Sequence, residues 1–250
     1  MSKLTPPNYS EYNPKNYQEK IHTPSSSREF FTEHLNPVIA EALGKNQPVT
    51  VLNIGIGPGH EFDHSEIKEN PDLKVIGVDI DHVTLREHTR KRLPQSLLVA
   101  ADIRHSPFDE KKEFADCGVV TNALMFNPKE VLEMLFASLK PDGKAVLNNS
   151  IFELIKPARK ARQLAKGCQN FSVPINFGAE VVNFTAIDYS NYQQAEYRKL
   201  GTQIYPSTLA DAKKMLTLSG FQILDCKQFE YQKNNKSAET TVFLVQKPAQ

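Results

Sequence analysis

The residues best suited to chemistry form a glycine-rich turn directly after an apolar segment. The segment Val49–Ile54 is typical of a strand that is buried on both faces of a sheet, and Gly55, Gly57 and Gly59 follow it. Glycine lets the backbone turn sharply and lets a ligand approach the main chain closely. Because ligands of open parallel sheets bind beyond the carboxyl ends of the strands, this turn predicts a ligand site.

Two aspartates follow the next two predicted strands and can bind polar groups of the same ligand. Asp79 ends the second apolar segment, about 20 residues after Gly59, where a carboxylate can accept both hydroxyls of a ribose. Asp102 follows the third segment and can accept a hydrogen bond from an exocyclic amine such as that of adenine. The alternative is a bare turn with two helix-capping aspartates, but the ordered set favours a nucleoside site.

A second motif in the same stretch is typical of a different chemistry. His60, Glu61 and His64 have the H-E-x-x-H spacing of zinc metalloproteases, in which two histidines bind zinc and the glutamate acts as a base. A catalytic zinc ion needs a third protein ligand, and Asn70 and Pro71 stand where an extended pattern would have glycine and histidine. We therefore interpret the motif as an exposed face of the first crossover helix and expect no metal.

The elements that must position these residues alternate between strand and helix. This alternation predicts parallel strands joined by right-handed crossovers, with helices on both faces of one sheet. One predicted helix begins at Asp81. Two final strands separated by a polar turn predict an antiparallel hairpin. The predicted strands lie at about 49–54, 73–78, 97–101, 115–121, 145–147, 221–231 and 240–247.

Two stretches lie outside this alternation. The chain begins with an arm rich in proline and tyrosine, and a helix follows from about Ser26, with a break expected at Pro37 and an end at Gly44. A second stretch is rich in aromatic residues and longer than a crossover needs, which predicts an inserted lid or subdomain that is helical at about 152–166. The predicted division is an N-terminal arm and helix (1–47), a ligand-binding core (48–150), an inserted lid (151–205) and a completion of the core (206–250).

Composition and charge narrow the class of partner. Lys and Arg number 30 and Asp and Glu 29, so the net charge of +1 argues against a dedicated nucleic-acid binder or a basic membrane-surface protein. No apolar segment has the length of a signal peptide or a transmembrane helix. The three cysteines lack metal-ligand or redox spacing, which favours reduced thiols. We expect a cytoplasmic protein with no nucleic-acid or membrane partner, and the oligomeric state stays open.

These motifs together resemble the class I S-adenosylmethionine-dependent methyltransferases. The resemblance covers about residues 48–150 and resumes at about 206–247. The segment from Val51 to Gly59 is similar to the family's first motif, Val75 to Asp79 to its acidic second motif, and Asp102-Ile103 to its adenine-contacting pair. The resemblance implies an α/β fold with a doubly wound, mostly parallel seven-stranded sheet that has one antiparallel strand, to which this chain adds the inserted lid and the N-terminal arm.

The resemblance also implies a role for each matching residue, with S-adenosyl-L-methionine as the cofactor. The three glycines would lie against its methionine part, and Asp79 would hold the ribose hydroxyls. Asn53 departs from the family pattern, which commonly has Asp or Glu near the ammonium group of the ligand, so we expect weaker binding that is not abolished. The other predicted cofactor contacts are Ile80 on the adenine ring, Asp102 and Ile103 at its edge, and Thr121 and Asn122 near the sulfonium.

The implied reaction is methyl transfer by direct displacement to a small-molecule acceptor whose nucleophile is O, N or C. The protein's main task is then to align the acceptor and to exclude water. A hydroxyl, phenol or ammonium acceptor also requires a general base, for which the sequence offers no convincing residue; Asn122 either orients the acceptor or caps the segment after the fourth strand. The candidate acceptor contacts are Tyr17, Met125, Phe126, Asn149, Tyr189 and Tyr192.

Two alternatives remain. The chain could keep the cofactor fold and act as a binding or scaffold protein without catalysis. The more remote alternative is a zinc metallohydrolase that uses His60, Glu61 and His64. The aromatic residues of the insertion could stack on an acceptor ring, but they are more simply the small core of the insertion itself.

Overall fold

The computed structural model of the chain describes residues 25–45, 48–62, 70–108, 113–121, 123–155, 157–193, 201–233 and 236–249. The helices are α1 (Ser25–Lys45), α2 (His82–Thr84, continuing through the π-helical residues Leu85–Thr89 to Arg90–Arg92), α3 (Pro128–Ser138), α4 (Pro157–Ala165) and α5 (Leu209–Leu218). In the described part of the chain, none of the helices has the length and apolar character needed to cross a membrane.

Within these ranges, ten strands form two sheets. The strands of the main sheet are β1 (Val49–Ile54), β2 (Leu73–Asp79), β3 (Leu97–Ala100), β4 (Ala115–Val120), β5 (Leu139–Asn149), β9 (Gln222–Lys233) and β10 (Lys236–Gln246). The strands of the second sheet are β6 (Gln169–Phe177), β7 (Glu180–Asp188) and β8 (Thr202–Pro206).

The main sheet has seven strands in the order β3-β2-β1-β4-β5-β10-β9. Strands β1 to β5 pair in parallel, and β10 runs antiparallel to both of its neighbours, β5 and β9. The predicted seven-stranded sheet with a single antiparallel strand is therefore confirmed. The order reverses between β1 and β4, which is where ligands of such sheets bind.

Helices cover both faces of this sheet because successive side chains of a strand point to opposite faces. In β1, Leu52 and Ile54 belong to the apolar cluster that includes residues of α3 and α5. Val49 and Val51 belong to the cluster on the other face, which includes residues of α1 and α2. All four side chains are fully buried, so β1 is buried on both sides, as its sequence predicts.

Helix α1 differs from the expectation at two points. It runs from Ser25 to Lys45 with Pro37 inside it and continues past Gly44. Leu35 and Ile39 are fully buried on either side of the proline. Their packing on the sheet accounts for the continuous helix, since burial of apolar side chains outweighs the cost of one missing hydrogen bond.

The predicted insertion contains a sheet that the sequence pattern does not predict. Strands β6, β7 and β8 pair antiparallel in that order, and the expected helix is shorter, at Pro157–Ala165. Phe177 and Phe184 of this sheet lie in the same apolar cluster as Leu132 of α3. The backbone N–H of Ile204 in β8 donates a 2.7 Å hydrogen bond to the carbonyl of Met125. The insertion is therefore attached directly to the segment that follows β4.

Candidate functional site

The glycine-rich turn lies beyond the carboxyl end of β1. Gly55, Gly57 and Gly59 have φ angles of +74°, +47° and +74°, a region that favours glycine. A Cβ atom on Gly55 would lie 2.8 Å from the Cβ of Ala123, whereas one on Gly57 would meet nothing within 4 Å. Gly55 is thus required by the close approach of the segment after β4, and Gly57 leaves open space beside the turn.

Asp79 connects the end of β2 to this turn. The backbone N–H of Gly57 donates to Oδ2 of Asp79 over 2.8 Å, and the N–H of Asp81 donates to Oδ1 over 2.9 Å. Burial raises the pKa of Asp79, although these hydrogen bonds act in the opposite direction. Each carboxylate oxygen keeps capacity for a further hydrogen bond, so the group can still accept from ribose hydroxyls.

Asp102 makes an ion pair that the sequence does not predict. The Nε of Arg104 lies 3.0 Å from both carboxylate oxygens, and its Nη2 donates to Oδ2. The guanidinium holds the pKa of Asp102 below its usual range. Ile103 is half-buried against the main core, and Ile80, just after β2, is 37% exposed. Ile80 therefore offers an apolar surface at the same edge as the two aspartates.

Three buried polar side chains lie at the carboxyl ends of the adjacent strands β1, β4 and β5. Asn53 is fully buried and Asn149 is 3% exposed, and the Thr121 hydroxyl has a buried oxygen. None of the polar atoms at these three side chains has a hydrogen-bond partner among the described residues. Unpaired buried polar groups are costly, so such atoms indicate contact with water or a ligand. Asn122, the neighbouring candidate, lies outside the described residues.

Two of the candidate acceptor contacts, Tyr189 and Tyr192, lie together in the insertion, and a third, Met125, packs against them from the segment after β4. Tyr189 and Tyr192 are 5% and 7% exposed, and Met125 packs against the cluster that contains them. Gln163 donates from Nε2 to the Tyr189 hydroxyl over 2.9 Å. We call the two tyrosines, with Ile155, Cys168, Ile187 and Tyr205, the insertion cluster. The burial favours a structural role for both tyrosines, so their contact with an acceptor stays a prediction.

The structure says less about the other two acceptor candidates, Phe126 and Tyr17. Phe126 is half-buried in the segment after β4, where its neighbour Met125 accepts the hydrogen bond from β8. Tyr17 lies outside the described residues. Phe152 packs against the insertion cluster and Gln163 bonds to its Tyr189, although no motif marks either residue. Their only signal in the sequence is their position in the aromatic-rich stretch.

The structure describes only part of the H-E-x-x-H motif. Residues His60–Phe62 form a short 3-10 turn, and His64 lies outside the described residues. Within the described ranges, no group of three or more His, Cys, Asp or Glu side chains is placed so as to hold a metal ion. Phe62 is fully buried, so at least one residue of the motif serves the core.

The central part of the chain is similar to one protein-family model. A family model described as "Methyltransferase domain" matches residues 52–147, which extend from β1 to β5 and include the glycine turn and both aspartates. No curated protein sequence matches the chain significantly.

Solved structures with the same fold extend the likeness over most of the chain. An S-adenosylmethionine-dependent methyltransferase from Methanosarcina mazei is 16% identical, with a TM-score of 0.59, over 86% of this chain and 98% of its own. One from Clostridium acetobutylicum is also 16% identical, with a TM-score of 0.55, over 94% and 97%. The N-methyltransferase NodS from Bradyrhizobium japonicum, in complex with S-adenosyl-L-homocysteine, is 12% identical, with a TM-score of 0.53, over 96% and 95%. A methyltransferase-domain model thus matches residues 52–147, and the chain has the fold of the class I S-adenosylmethionine-dependent methyltransferases.

Proposed function

We propose that the chain is an enzyme that transfers the methyl group of S-adenosyl-L-methionine to a small-molecule acceptor. The observation that carries the proposal is the connection of Asp79 to Gly57 at the point where the strand order reverses. It places a carboxylate with spare acceptor capacity beside an open glycine turn. A family model for methyltransferase domains that covers both residues supports the same conclusion.

The residues at this edge fit the parts of the cofactor. Asp79 would accept from the ribose hydroxyls, and the exposed side chain of Ile80 would pack on the adenine ring. Asp102, kept ionised by Arg104, would accept from the adenine amine. The orphaned polar atoms of Asn53 would bind the amino-acid part of the ligand directly or through water. The solved complex of NodS with S-adenosyl-L-homocysteine supports this choice of ligand.

The remaining proposed cofactor contacts follow from the same edge. Ile103 would lie beside the adenine ring through its backbone, and Gly55 and Gly59 would form the walls of the turn. Thr121 has an unpartnered hydroxyl oxygen after β4, which is consistent with a place near the sulfonium. Asn122 is proposed for the same region from its position in the sequence.

The chain itself needs to supply alignment and a dry site. When bound, S-adenosylmethionine would supply an electrophilic methyl carbon with a sulfonium leaving group, open to direct displacement by the O, N or C nucleophile of the acceptor. Asn149 would orient the acceptor, because its buried amide can both donate and accept hydrogen bonds and has no partner among the described residues. The insertion cluster, with Met125 at its border, would exclude water from the same side.

The proposed small-molecule acceptor and cytoplasmic location rest on general properties of the chain. The net charge of +1 does not favour a polyanionic partner. The inserted sheet packs into the main core, and we infer that it would cover a compact ligand. Cys117 and Cys168 are free, buried thiols. Burial raises their pKa to about 12 and about 11, so both stay protonated. Free, protonated thiols are consistent with the proposed cytoplasmic location.

A binding protein that retains the cofactor without catalysis is the second candidate. The specific observation in its favour is the neutral Asn53 at a position where the resembling family commonly has a carboxylate. Another is the absence of a convincing general base among the described residues at the ends of β4 and β5. Both functions require the cofactor site, so cofactor binding alone does not distinguish them.

Transfer of a labelled methyl group distinguishes the two candidates. The purified protein is incubated with tritiated S-adenosylmethionine and either a whole-cell lysate or its ultrafiltered metabolite fraction, and label is counted in the low-mass and the macromolecular products. We expect label in the low-mass fraction with the wild-type protein and none with Asp79→Ala. Binding of the cofactor without transfer to any extract would favour the non-catalytic alternative, and label found only in macromolecules would contradict the small-molecule acceptor.

A further inference from the structure

Thr89 contacts the glycine turn from α2, although no sequence motif marks this threonine. It is fully buried and is the last residue of the π-helical part of α2, Leu85–Thr89. Its hydroxyl donates to the backbone carbonyl of Gly57. A second, longer contact of 3.3 Å joins the same hydroxyl to the carbonyl of Thr84 in the preceding turn. The hydroxyl is thus directed mainly out of its own helix, toward the turn.

The carbonyl of Gly57 accepts its hydrogen bond from a side chain, the Thr89 hydroxyl. Because Pro58 follows Gly57, the peptide between them has no N–H, and the carbonyl is its only hydrogen-bonding group. The N–H on the other side of Gly57 donates to Asp79 over 2.8 Å. Gly57, which has more backbone freedom than any other residue type, is therefore held at its N–H by Asp79 and at its carbonyl by Thr89.

The methyl group of Thr89 faces a second glycine of the same turn, Gly59. A Cβ atom placed on Gly59 would lie 3.4 Å from Cγ2 of Thr89. One buried side chain thus bonds to Gly57 through its hydroxyl and faces Gly59 with its methyl group. The hydroxyl and the methyl group can therefore be tested separately, since valine retains the shape and serine retains the hydroxyl.

The π-helical turn explains why this threonine reaches the turn. A threonine in an ordinary helix commonly bonds the carbonyl three or four residues before it. In α2 the N–H of Arg90 bonds to the carbonyl of Leu85, five residues before it, so the residues of this turn are displaced relative to a regular α-helix. Single π-turns of this kind frequently occur at functional sites.

We propose that Thr89 is a positioning residue for the cofactor, which acts by holding the Gly57 carbonyl and so pre-forming the turn before the ligand binds. This inference rests on the proposed function, because the turn is taken as the cofactor site. Pre-formation matters because an unheld glycine turn would have to lose conformational freedom on binding. Thr89 itself need not touch the ligand.

The test compares Thr89→Val with Thr89→Ser by calorimetric titration of S-adenosylmethionine and by thermal unfolding of the free protein. We expect Val to weaken binding about tenfold, the effect of about one lost hydrogen bond, and Ser to stay within about threefold of wild type. Ser is expected to lower the melting temperature because it leaves a gap beside Gly59. A split between affinity and stability of this kind is not expected from a side chain that only serves packing.

The matched control is Thr84→Val, which removes another buried threonine hydroxyl of the same helix. The Thr84 hydroxyl donates to Oδ2 of Asp81 over 2.8 Å and does not contact the turn. This variant should lose stability and keep the wild-type affinity. If Thr89→Val does not fold, the pair Thr89→Ser and Thr89→Ala replaces it, and Ser is expected to bind about tenfold more tightly than Ala.

Three results would overturn the inference. Wild-type affinity in Thr89→Val, or an equal loss in the Ser and Val variants, would show that the hydroxyl does not position the turn. An equal loss in Thr84→Val would show that the effect is a general weakening of α2. In each of these cases the proposed function survives, because the wild-type protein binds. If the wild-type protein itself does not bind S-adenosylmethionine, the proposed function and this inference both fail.

Discussion

The backbone N–H of Gly57 donates a 2.8 Å hydrogen bond to Oδ2 of Asp79. This contact joins the turn after β1 to the end of β2, across two strands that pair in parallel. It gives the carboxylate two tasks, since the same group shapes the turn and accepts from the proposed ribose. Variants at Asp79 and at the turn glycines separate these two roles from each other and from the stability of the fold.

Asp79→Ala is expected to abolish cofactor binding and leave the fold intact. The variant removes the proposed ribose acceptor and also releases the Gly57 N–H. The fold is expected to survive because the change also removes a carboxylate whose burial disfavours its charged form. Calorimetric titration measures the affinity, and circular dichroism checks the fold. Asp225→Ala, at an exposed carboxylate of β9 that is 42% accessible, is the control and should bind as wild type.

Cofactor affinity is expected to fall in mild acid, at a pH above the range in which an ordinary aspartate titrates. The pKa of Asp79 is raised by burial, and protonation would remove its ability to accept from both hydroxyls. Asp102 stays ionised over the same interval because Arg104 lowers its pKa. A titration series over pH therefore reports on Asp79, and a flat profile down to the range of ordinary carboxylates would contradict this assignment.

Protonation of Asp79 is not expected to lower the cofactor affinity by unfolding the protein. A carboxyl whose folded-state pKa is raised binds its proton more tightly in the folded state, so its contribution to stability is present at low pH and is lost as the pH rises through the folded-state pKa. Protonation of Asp79 thus favours folding while it weakens binding. Thermal unfolding of the free protein over the same pH series supplies the control.

Gly55→Ala is expected to lose mainly stability, and Gly57→Ala mainly cofactor affinity. At Gly55 the new Cβ would lie 2.8 Å from Ala123 with φ at +74°, so we expect a loss of about 2–4 kcal/mol in the free energy of unfolding. At Gly57 the new Cβ meets nothing, so only about 1 kcal/mol of backbone strain is expected, together with a strong loss of cofactor affinity. Denaturant unfolding and calorimetry measure the two quantities. Unchanged affinity in Gly57→Ala would show that the space beside the turn is not used by the ligand.

Asn53→Asp is expected to strengthen binding of S-adenosylmethionine about tenfold, because it restores a charge near the proposed position of the ligand's ammonium group. The free variant should be less stable than wild type, since a fully buried carboxylate would have no partner. The matched ligand is 5′-methylthioadenosine, which lacks the ammonium group and should gain nothing. An equal gain for both ligands would place the amino-acid part of the cofactor elsewhere.

The main sheet could be predicted from the sequence because each of its strands carries its own signal. The segment Val49–Ile54 is continuously apolar since both of its faces are covered, and the glycines mark its end. Asp81 could be predicted as a helix cap, and the structure confirms that its carboxylate accepts from the N–H groups of Val83 and Thr84. These signals are local, so a single sequence is enough to find them.

The inserted sheet could not be predicted in the same way. Its strands β6 and β7 are separated only by a short turn at Gly178, which has a φ of +63°. Residues on β6 alternate between half-buried and exposed, but Pro174 in the middle of this strand argues against a central strand. Its edge position in the order β6-β7-β8 explains why the proline is tolerated.

Two contacts at the site depend on geometry that no local pattern encodes. The bond from Thr89 to Gly57 joins residues 32 positions apart and depends on the displaced register of the π-helical turn. The pair of Asp102 and Arg104 joins neighbours two positions apart, a spacing that occurs commonly without any contact. The sequence therefore predicts which groups recognise the ligand, whereas the structure is needed to find which groups hold them in place.

A crystal structure of the protein with S-adenosyl-L-homocysteine tests the central claim most directly. It is expected to show the ribose hydroxyls within hydrogen-bond distance of the Asp79 carboxylate, with the adenine ring against Ile80. Crystals grown with saturating ligand that hold it at another edge of the sheet, or not at all, would contradict the assignment of this edge as the cofactor site.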